Sequence, residues 1–128
     1  MENKELTKAE EQVMQFLWKI NKGFLKDVVD QFPVPKPAYT TVSTVIRVLV
    51  KKGFIGYNTY GKINEYYPLV SKNDYFQNHV KSIITNYFHG SAPEFASFFA
   101  NDQLKLSELE EIKNMIEEKI KKLKTDKY

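Results

Sequence analysis

The chain contains no cysteine, and this absence removes several classes of function at once. Without thiols there is no disulfide framework, no thiol nucleophile and no zinc or copper site built on cysteine. Histidine is scarce as well, because His79 and His89 are the only two, and they lie too far apart for an i, i+4 metal pair. The composition therefore predicts no metal site and no other bound cofactor.

Long apolar runs are also lacking, and no stretch approaches the roughly 20 residues that a transmembrane helix needs. The polar residues at the start of the chain lead into a helix signal and do not resemble a secretory signal peptide. We therefore expect no membrane insertion and a cytoplasmic location. The glycine-rich phosphate loop and the HExxH and GxSxG motifs are missing too, so nothing in the sequence indicates an enzyme.

Acidic residues are absent between Gln31 and Asn64, where five cations occur. Residues 1–70 carry ten Lys or Arg and seven Asp or Glu, a net charge of +3, whereas residues 71–128 carry nine of each. The whole excess of positive charge therefore lies in the first half. A local cationic surface is typical of nucleic-acid-binding proteins, although a solvated basic face would produce the same charge pattern.

The segment that follows three closely spaced prolines is predicted to be a helix with two distinct faces. Its apolar residues recur at the spacing of one buried stripe: Val42, Val45, Ile46 and Leu49. A second stripe has hydroxyls near its start and cations near its end: Thr40, Thr44, Arg47 and Lys51. Small hydroxyls let a helix approach base edges, and cations meet phosphates. The segment thus resembles a recognition helix, at about residues 40–52, although ordinary amphipathic helices share these features.

The predicted order of elements is helix, helix, helix and hairpin, which is the order of a winged helix. Thr7 and Glu10 form a capping box at the start of the first helix, and Gly61 supplies the tight turn of the hairpin. We assign residues 1–70 to this DNA-binding domain and residues 71–128 to a helical dimerisation domain. The predicted fold class is mainly α with a small β-hairpin, a winged helix-turn-helix followed by a helical domain.

The helices predicted within residues 71–128 carry more large apolar side chains than a small monomeric unit can bury. A second copy would cover them, since closed two-fold dimers are the commonest assembly, although they could instead pack on the N-terminal domain. An aromatic cluster that includes Phe95 and Phe99 forms dimer core in this interpretation, or alternatively lines a small-molecule pocket. We expect the dimer interface to comprise Phe76, Val80, Ile83, Ile84, Tyr87, Phe98, Leu109, Ile112, Ile116 and Ile120.

Three separate stretches have the order and spacing of one known family. They are Leu6-Thr7-x-Ala9-Glu10-x-x-Val13-Met14-x-x-Leu17-Trp18, then Tyr39-Thr40-Thr41-Val42 with Lys51-Lys52-Gly53, and finally Tyr66-x-Pro68-Leu69-Val70-Ser71. They resemble the penicillinase-repressor family, of the BlaI/MecI/CopY type. The resemblance implies a winged-helix repressor that binds an inverted-repeat operator as a homodimer.

The same resemblance implies a route of induction. In the antibiotic-resistance branch, a membrane sensor-protease system leads to cleavage of the repressor at an Asn-Phe bond. The corresponding pair here is Ser97-Phe98, so Ser97 replaces the asparagine. The copper-responsive branch carries Cys-x-Cys motifs, and the absence of cysteine excludes copper sensing of that type.

The DNA-binding interpretation assigns two roles to the side chains. Hydroxyls and Arg47 would face the major groove, while the lysines and Tyr39 would contact phosphate or sugar. The full set of expected contacts is Tyr39, Thr40, Thr41, Ser43, Thr44, Arg47, Lys51, Lys52 and Lys62. Two other interpretations stay open, namely a winged-helix module for protein–protein contact and a ligand-responsive regulator.

Overall fold

The computed structural model describes residues 6–101 and 104–126, so the polar start of the chain lies outside the described residues. The chain divides into two compact units, Met1–Ser82 and Ile83–Tyr128. The elements in chain order are α1 (Lys8–Ile20), β1 (Gly23–Phe24), α2 (Leu25–Asp30), α3 (Tyr39–Lys51), β2 (Ile55–Tyr60), β3 (Ile63–Pro68), α4 (Lys72–Tyr87), α5 (Ala92–Ala100) and α6 (Leu106–Asp126).

Helix α1 begins at the predicted capping box and ends at Ile20, with Asn21 as its C-cap. Thr7 Oγ1 accepts a hydrogen bond from the Glu10 N–H at 3.2 Å, and Glu10 Oε1 accepts one from the Thr7 N–H at 3.0 Å. At the other end Asn21 has a φ of 71°, and its N–H donates to the Leu17 carbonyl at 2.8 Å. Gly23 is closely packed, because an added Cβ would lie 2.8 Å from Ile20 Cδ1 and 3.0 Å from Asp27 Cβ, so these neighbours would have to shift.

The sheet has three antiparallel strands in the order β1-β3-β2, one strand more than the predicted hairpin. Strand β1 is two residues long, too short to show an alternating pattern in the sequence. In the hairpin Tyr60 pairs with Ile63, which leaves Gly61 and Lys62 as the loop. Gly61 has a φ of 64°, which a tight hairpin turn requires.

One hydrophobic core joins the helices and the sheet of the first unit. Its central members are fully buried side chains from α1, α2, α3 and the start of β2: Val13, Met14, Leu17, Val28, Val29, Val42, Ile46, Leu49 and Ile55. Each of these three helices contributes apolar residues from one face to this core, and for α3 that face is the stripe that the sequence spacing predicted. The mostly helical architecture with a small antiparallel sheet confirms the predicted fold class.

The first turns of α4 belong to the first unit. Tyr75 is buried in its core, and the Tyr75 hydroxyl donates a hydrogen bond to Glu11 Oε2 at 3.1 Å. Trp18 Nε1–H donates to the Val70 carbonyl at 2.8 Å, and the Phe76 ring lies 5.9 Å from the Trp18 ring. These contacts extend the compact unit beyond residue 70, where we had placed the domain boundary.

The second unit consists of the end of α4 with α5 and α6. Ser91 is the N-cap of α5, and its Oγ accepts a hydrogen bond from the Glu94 N–H at 3.1 Å. The Phe88 ring contacts the rings of Phe95 and Phe98, with centroid distances of 5.5 and 5.4 Å. Neither α5 nor α6 has a buried residue among those that the structure describes. A single chain therefore leaves the apolar side chains of these helices largely in water.

Candidate nucleic-acid interface

Helix α3 separates its core residues from an exposed polar face. Val42, Ile46 and Leu49 are buried. The face turned to solvent carries the hydroxyls and cations that the sequence pattern singled out: Thr40, Thr41, Thr44, Arg47 and Lys51 are exposed, and Ser43 is half-buried among them. The structure thus brings most of the predicted base-reading residues onto one accessible surface, since helical spacing determines which residues share a face.

The beginning of α3 is open to a negatively charged group. Its N-cap is Ala38, which provides no side-chain hydrogen bond. The Thr41 N–H donates to the Ala38 carbonyl at 3.1 Å, so it is already used within the turn. The N–H groups of Tyr39 and Thr40 come before the first intrahelical bond, where a helix leaves donors available and its dipole favours an anion. The exposed Tyr39 ring stands beside them.

Two side-chain contacts limit what the middle of α3 can offer to a base. The Thr44 hydroxyl donates to the Thr40 carbonyl at 2.9 Å, so toward a ligand it presents an acceptor oxygen and a methyl group. Arg47 Nη2 donates to Ser43 Oγ at 3.4 Å, a long bond that uses one of its five N–H donors. Arg47 therefore keeps the capacity for a bidentate contact with guanine or phosphate.

The end of α3 is closed by a Schellman motif. The Gly53 N–H donates to the Val50 carbonyl at 3.1 Å, and the Phe54 N–H donates to the Leu49 carbonyl at 2.9 Å. Gly53 has a φ of 85°, the left-handed conformation that this motif requires. The motif turns the chain from α3 into β2, so the same glycine fixes both the end of the helix and the start of the wing.

Lys52 is placed differently from its neighbour Lys51. Lys51 is exposed, whereas Lys52 Nζ lies 2.7 Å from Glu10 Oε1, with 29% of the Lys52 side chain and 10% of the Glu10 side chain exposed. Burial would raise the pKa of Glu10, but the hydrogen bonds from Lys52 and Thr7 and the attraction of the ammonium lower it below its ordinary value. The capping box predicted the contact of Glu10 with Thr7, but no local sequence pattern indicated its contact with Lys52.

The wing is the β2–β3 hairpin with Lys62 exposed in its loop. Thr59 Oγ1 donates to Asn64 Oδ1 at 2.8 Å across the two strands, next to the loop. Strand β1 supports the same end of the hairpin, because the Phe24 ring packs edge-on against Tyr60, with 6.3 Å between centroids. The wing therefore presents one lysine and exposed aromatic rings rather than a cationic surface.

The sequence model of the penicillinase repressor family matches residues 6–118 of this chain. The chain belongs to this family. It is 29% identical over 123 residues to the methicillin resistance regulatory protein MecI of Staphylococcus aureus strain N315, an alignment that covers 93% of this chain and all of MecI. It is 25% identical over 116 residues to the penicillinase repressor of Bacillus licheniformis, covering 89% of this chain and 91% of that protein.

A solved structure also resembles part of this chain. The solution structure of the DNA binding domain of the repressor BlaI superposes with a TM-score of 0.50 and 23% sequence identity. The superposition covers 57% of this chain and 90% of that domain. This similarity confirms the winged-helix fold that the order of elements predicted.

The residues that we predicted to form the dimer interface lie in both units. Phe76 packs against the core of the first unit beside Trp18, so part of its surface is used there. Ile83, Ile84, Leu109 and Ile112 are half-buried, and Val80, Tyr87, Phe98, Ile116 and Ile120 are exposed. The pair Ser97 and Phe98 lies inside α5, and both side chains are exposed.

The described part of the chain has neither a cluster of metal-ligating side chains nor a membrane-spanning helix. No group of three or more acidic or histidine side chains among residues 6–101 and 104–126 could hold a metal ion. Over the same ranges, no helix combines the length and the apolar character needed to cross a membrane.

Proposed function

We propose that this protein is a transcriptional repressor that binds duplex operator DNA with α3 in the major groove. The observation that carries the proposal is the exposed face of α3, on which small hydroxyls, Arg47 and Lys51 lie opposite the buried stripe. A helix of this kind can approach base edges closely and meet phosphates at its ends. Membership of a repressor family supports a non-enzymatic function of this kind, and we expect the protein to act in the cytoplasm.

The contacts divide into those that read bases and those that set register. Base edges would meet Thr40, Thr41, Ser43, Thr44 and Arg47. Phosphates or sugars would meet Tyr39, Lys51 and Lys62, and one phosphate would lie on the N–H groups of Tyr39 and Thr40 at the helix start. Lys52 is bound to Glu10, and its role is considered separately below.

The repressor would act as a homodimer that binds two half-sites of an inverted repeat. The apolar face of α6 supports this, because Ile116, Ile120 and Leu123 are each about half exposed in a single chain. A second copy of the same face would remove these side chains from water. We propose that the interface comprises the exposed and half-buried apolar residues of α4, α5 and α6 named above, with Phe76 at its edge.

We also propose that a membrane sensor-protease system induces the regulated genes by leading to cleavage of the bond between Ser97 and Phe98. Both side chains are exposed, but the bond between them lies within helix α5. Cleavage would therefore need α5 to open locally, since local unfolding is what exposes a helical segment to a protease. Mass spectrometry of fragments from cells exposed to inducer would test whether this bond is cut.

The proposed function is tested by selecting duplexes from a random-sequence pool with the purified protein and then footprinting the selected duplex. Protection of two half-sites related by a two-fold, with an affinity that falls steeply as salt rises, is the expected result. Equal affinity for the selected duplex and for a shuffled duplex of the same composition would contradict the proposal. A salt-insensitive affinity for a protein partner, with none for DNA, would favour the protein-interaction module.

A further inference from the structure

The ion pair between Glu10 and Lys52 joins two ends of helices that are distant in sequence. Glu10 is the third residue of α1, and Lys52 is the C-cap of α3, 42 positions later. The same oxygen, Glu10 Oε1, accepts from the Thr7 N–H at 3.0 Å and from Lys52 Nζ at 2.7 Å. One carboxylate oxygen therefore caps the start of α1 and holds the end of α3.

The charges of the pair suit the helices that carry them. An anion is favourable in the first turn of α1, and a cation is favourable at the end of α3, because of the helix dipoles. Both side chains are largely removed from water, so the attraction between them is screened less than in a surface pair. The geometry is that of a charge-assisted hydrogen bond, which is shorter and stronger than a neutral one.

This arrangement separates Lys52 from the cations that face outward on α3. We propose that the Glu10–Lys52 pair positions α3 for operator recognition, and that Lys52 is a positioning residue rather than a phosphate contact. The inference rests on the proposed function, because it assumes that α3 reads the operator. Base contacts need alignment to within about half an ångström, whereas attraction to phosphates tolerates small displacements. Loss of the pair should therefore weaken specific binding more than binding to shuffled DNA.

The test compares Glu10→Gln and Lys52→Met with the matched control Lys51→Met, which removes the neighbouring exposed ammonium. The probes are the duplex selected by the wild-type protein and a shuffled duplex of the same length, titrated over a range of salt concentrations. We expect Glu10→Gln and Lys52→Met each to lower the affinity for the selected duplex about tenfold, which is roughly the effect of losing one base contact. In both variants, the affinity for the shuffled duplex should stay unchanged. The salt slope, which is the slope of log affinity against log salt concentration, should also stay unchanged.

The control and the conservative variant complete the experiment. Lys51→Met should weaken binding to both duplexes and lower the salt slope by about 0.9, the loss of one phosphate contact. Lys52→Arg keeps a cation that can reach Glu10, and it should keep most of the specific affinity. Circular dichroism at the assay temperature tests whether each variant is folded. If Glu10→Gln is unfolded, the comparison of Lys52→Met with Lys52→Arg tests the proposal instead.

Glu10→Gln gives the sharpest contrast, because removing a negative charge from a DNA-binding protein should strengthen binding if only long-range charge matters. Unchanged or increased affinity for the selected duplex in folded Glu10→Gln would overturn the proposal. So would a fall of about 0.9 in the salt slope of Lys52→Met, since that is the signature of a phosphate contact. If the wild-type protein does not distinguish the two duplexes, the proposed function itself fails, and that result is visible before any variant is made.

Discussion

At the scale of single residues, Arg47 is the side chain on which sequence discrimination should depend most. It is exposed in the middle of α3, and its guanidinium keeps donors for a bidentate contact. Arg47→Ala should weaken binding to the selected duplex by about 1–3 kcal/mol and relax preference at one base pair of each half-site. Arg47→Lys is the control, because lysine keeps the charge and loses the planar fork. Equal losses on selected and shuffled duplexes would make Arg47 a phosphate contact instead.

Glu10 gives a residue-scale prediction about acid stability. Its pKa is lowered in the folded protein, so its charged form stabilises the fold above the ordinary pKa near 4.5, and this stabilisation is lost as the pH falls through the folded value. Glu10→Gln should cost about 1–2 kcal/mol of unfolding free energy at neutral pH. The difference from wild type should shrink as the pH falls below 4.5. Urea unfolding at a series of pH values measures it, and a difference that stays constant into acid would contradict the assignment.

At the scale of secondary-structure elements, Gly53 determines how α3 ends. Its φ of 85° is one that side chains with a Cβ rarely adopt, although no atom outside the neighbouring residues lies within 4 Å of an added Cβ. Gly53→Ala should therefore cost about 1 kcal/mol through backbone strain alone. Gly53→Asn should cost less, because asparagine tolerates the left-handed region better. Denaturant unfolding compares the two, and equal stabilities for all three proteins would show that the turn is not strained.

Elements with long periodic patterns could be predicted, and contacts between distant residues could not. The spacing of Val42, Ile46 and Leu49 fixed α3 and its outer face, because one periodicity determines both. Strand β1 has two residues, and its pairing depends on β3, some forty positions later. The Glu10–Lys52 contact could not be predicted either, because its two residues are 42 positions apart. A local sequence pattern carries no information on which distant charged residues meet after folding. Tyr75 likewise joins a core that its own helix does not indicate.

The wing shows how an element depends on its neighbours. A two-stranded hairpin alone is marginally stable in water. Here β1 adds a third strand, and rings from two strands contact across the sheet, Tyr57 with Tyr66 at 6.1 Å between centroids. The aromatic residues of the wing, which stand where a cationic surface would need lysine or arginine, therefore stabilise the sheet. Lys62 is left as the charged residue of the loop, which concentrates the expected electrostatic contribution of the wing in one side chain.

At the scale of the whole molecule, the proposed dimer makes operator affinity depend on α6. Ile116 is 54% exposed in a single chain, and burying it against a second copy would stabilise the dimer. Ile116→Asp should dissociate the dimer in sedimentation experiments and weaken binding to a two-half-site duplex by at least about tenfold, because each half-site then binds separately. Asn114→Asp introduces the same side chain on the opposite side of α6 and should leave both unchanged. A dimeric Ile116→Asp would place the interface elsewhere.

The hydrogen bond from the Trp18 indole to the Val70 carbonyl also supplies an optical probe. Trp18 is the single tryptophan of the chain, and it lies beside Tyr75 in the first unit. Emission after selective excitation of tryptophan therefore originates from the winged-helix half alone. A fluorescence melt would follow the unfolding of that half, while sedimentation would follow dissociation of the proposed dimer. The folding of the winged-helix half and the association state of the protein can thus be recorded separately in the unlabelled wild-type protein.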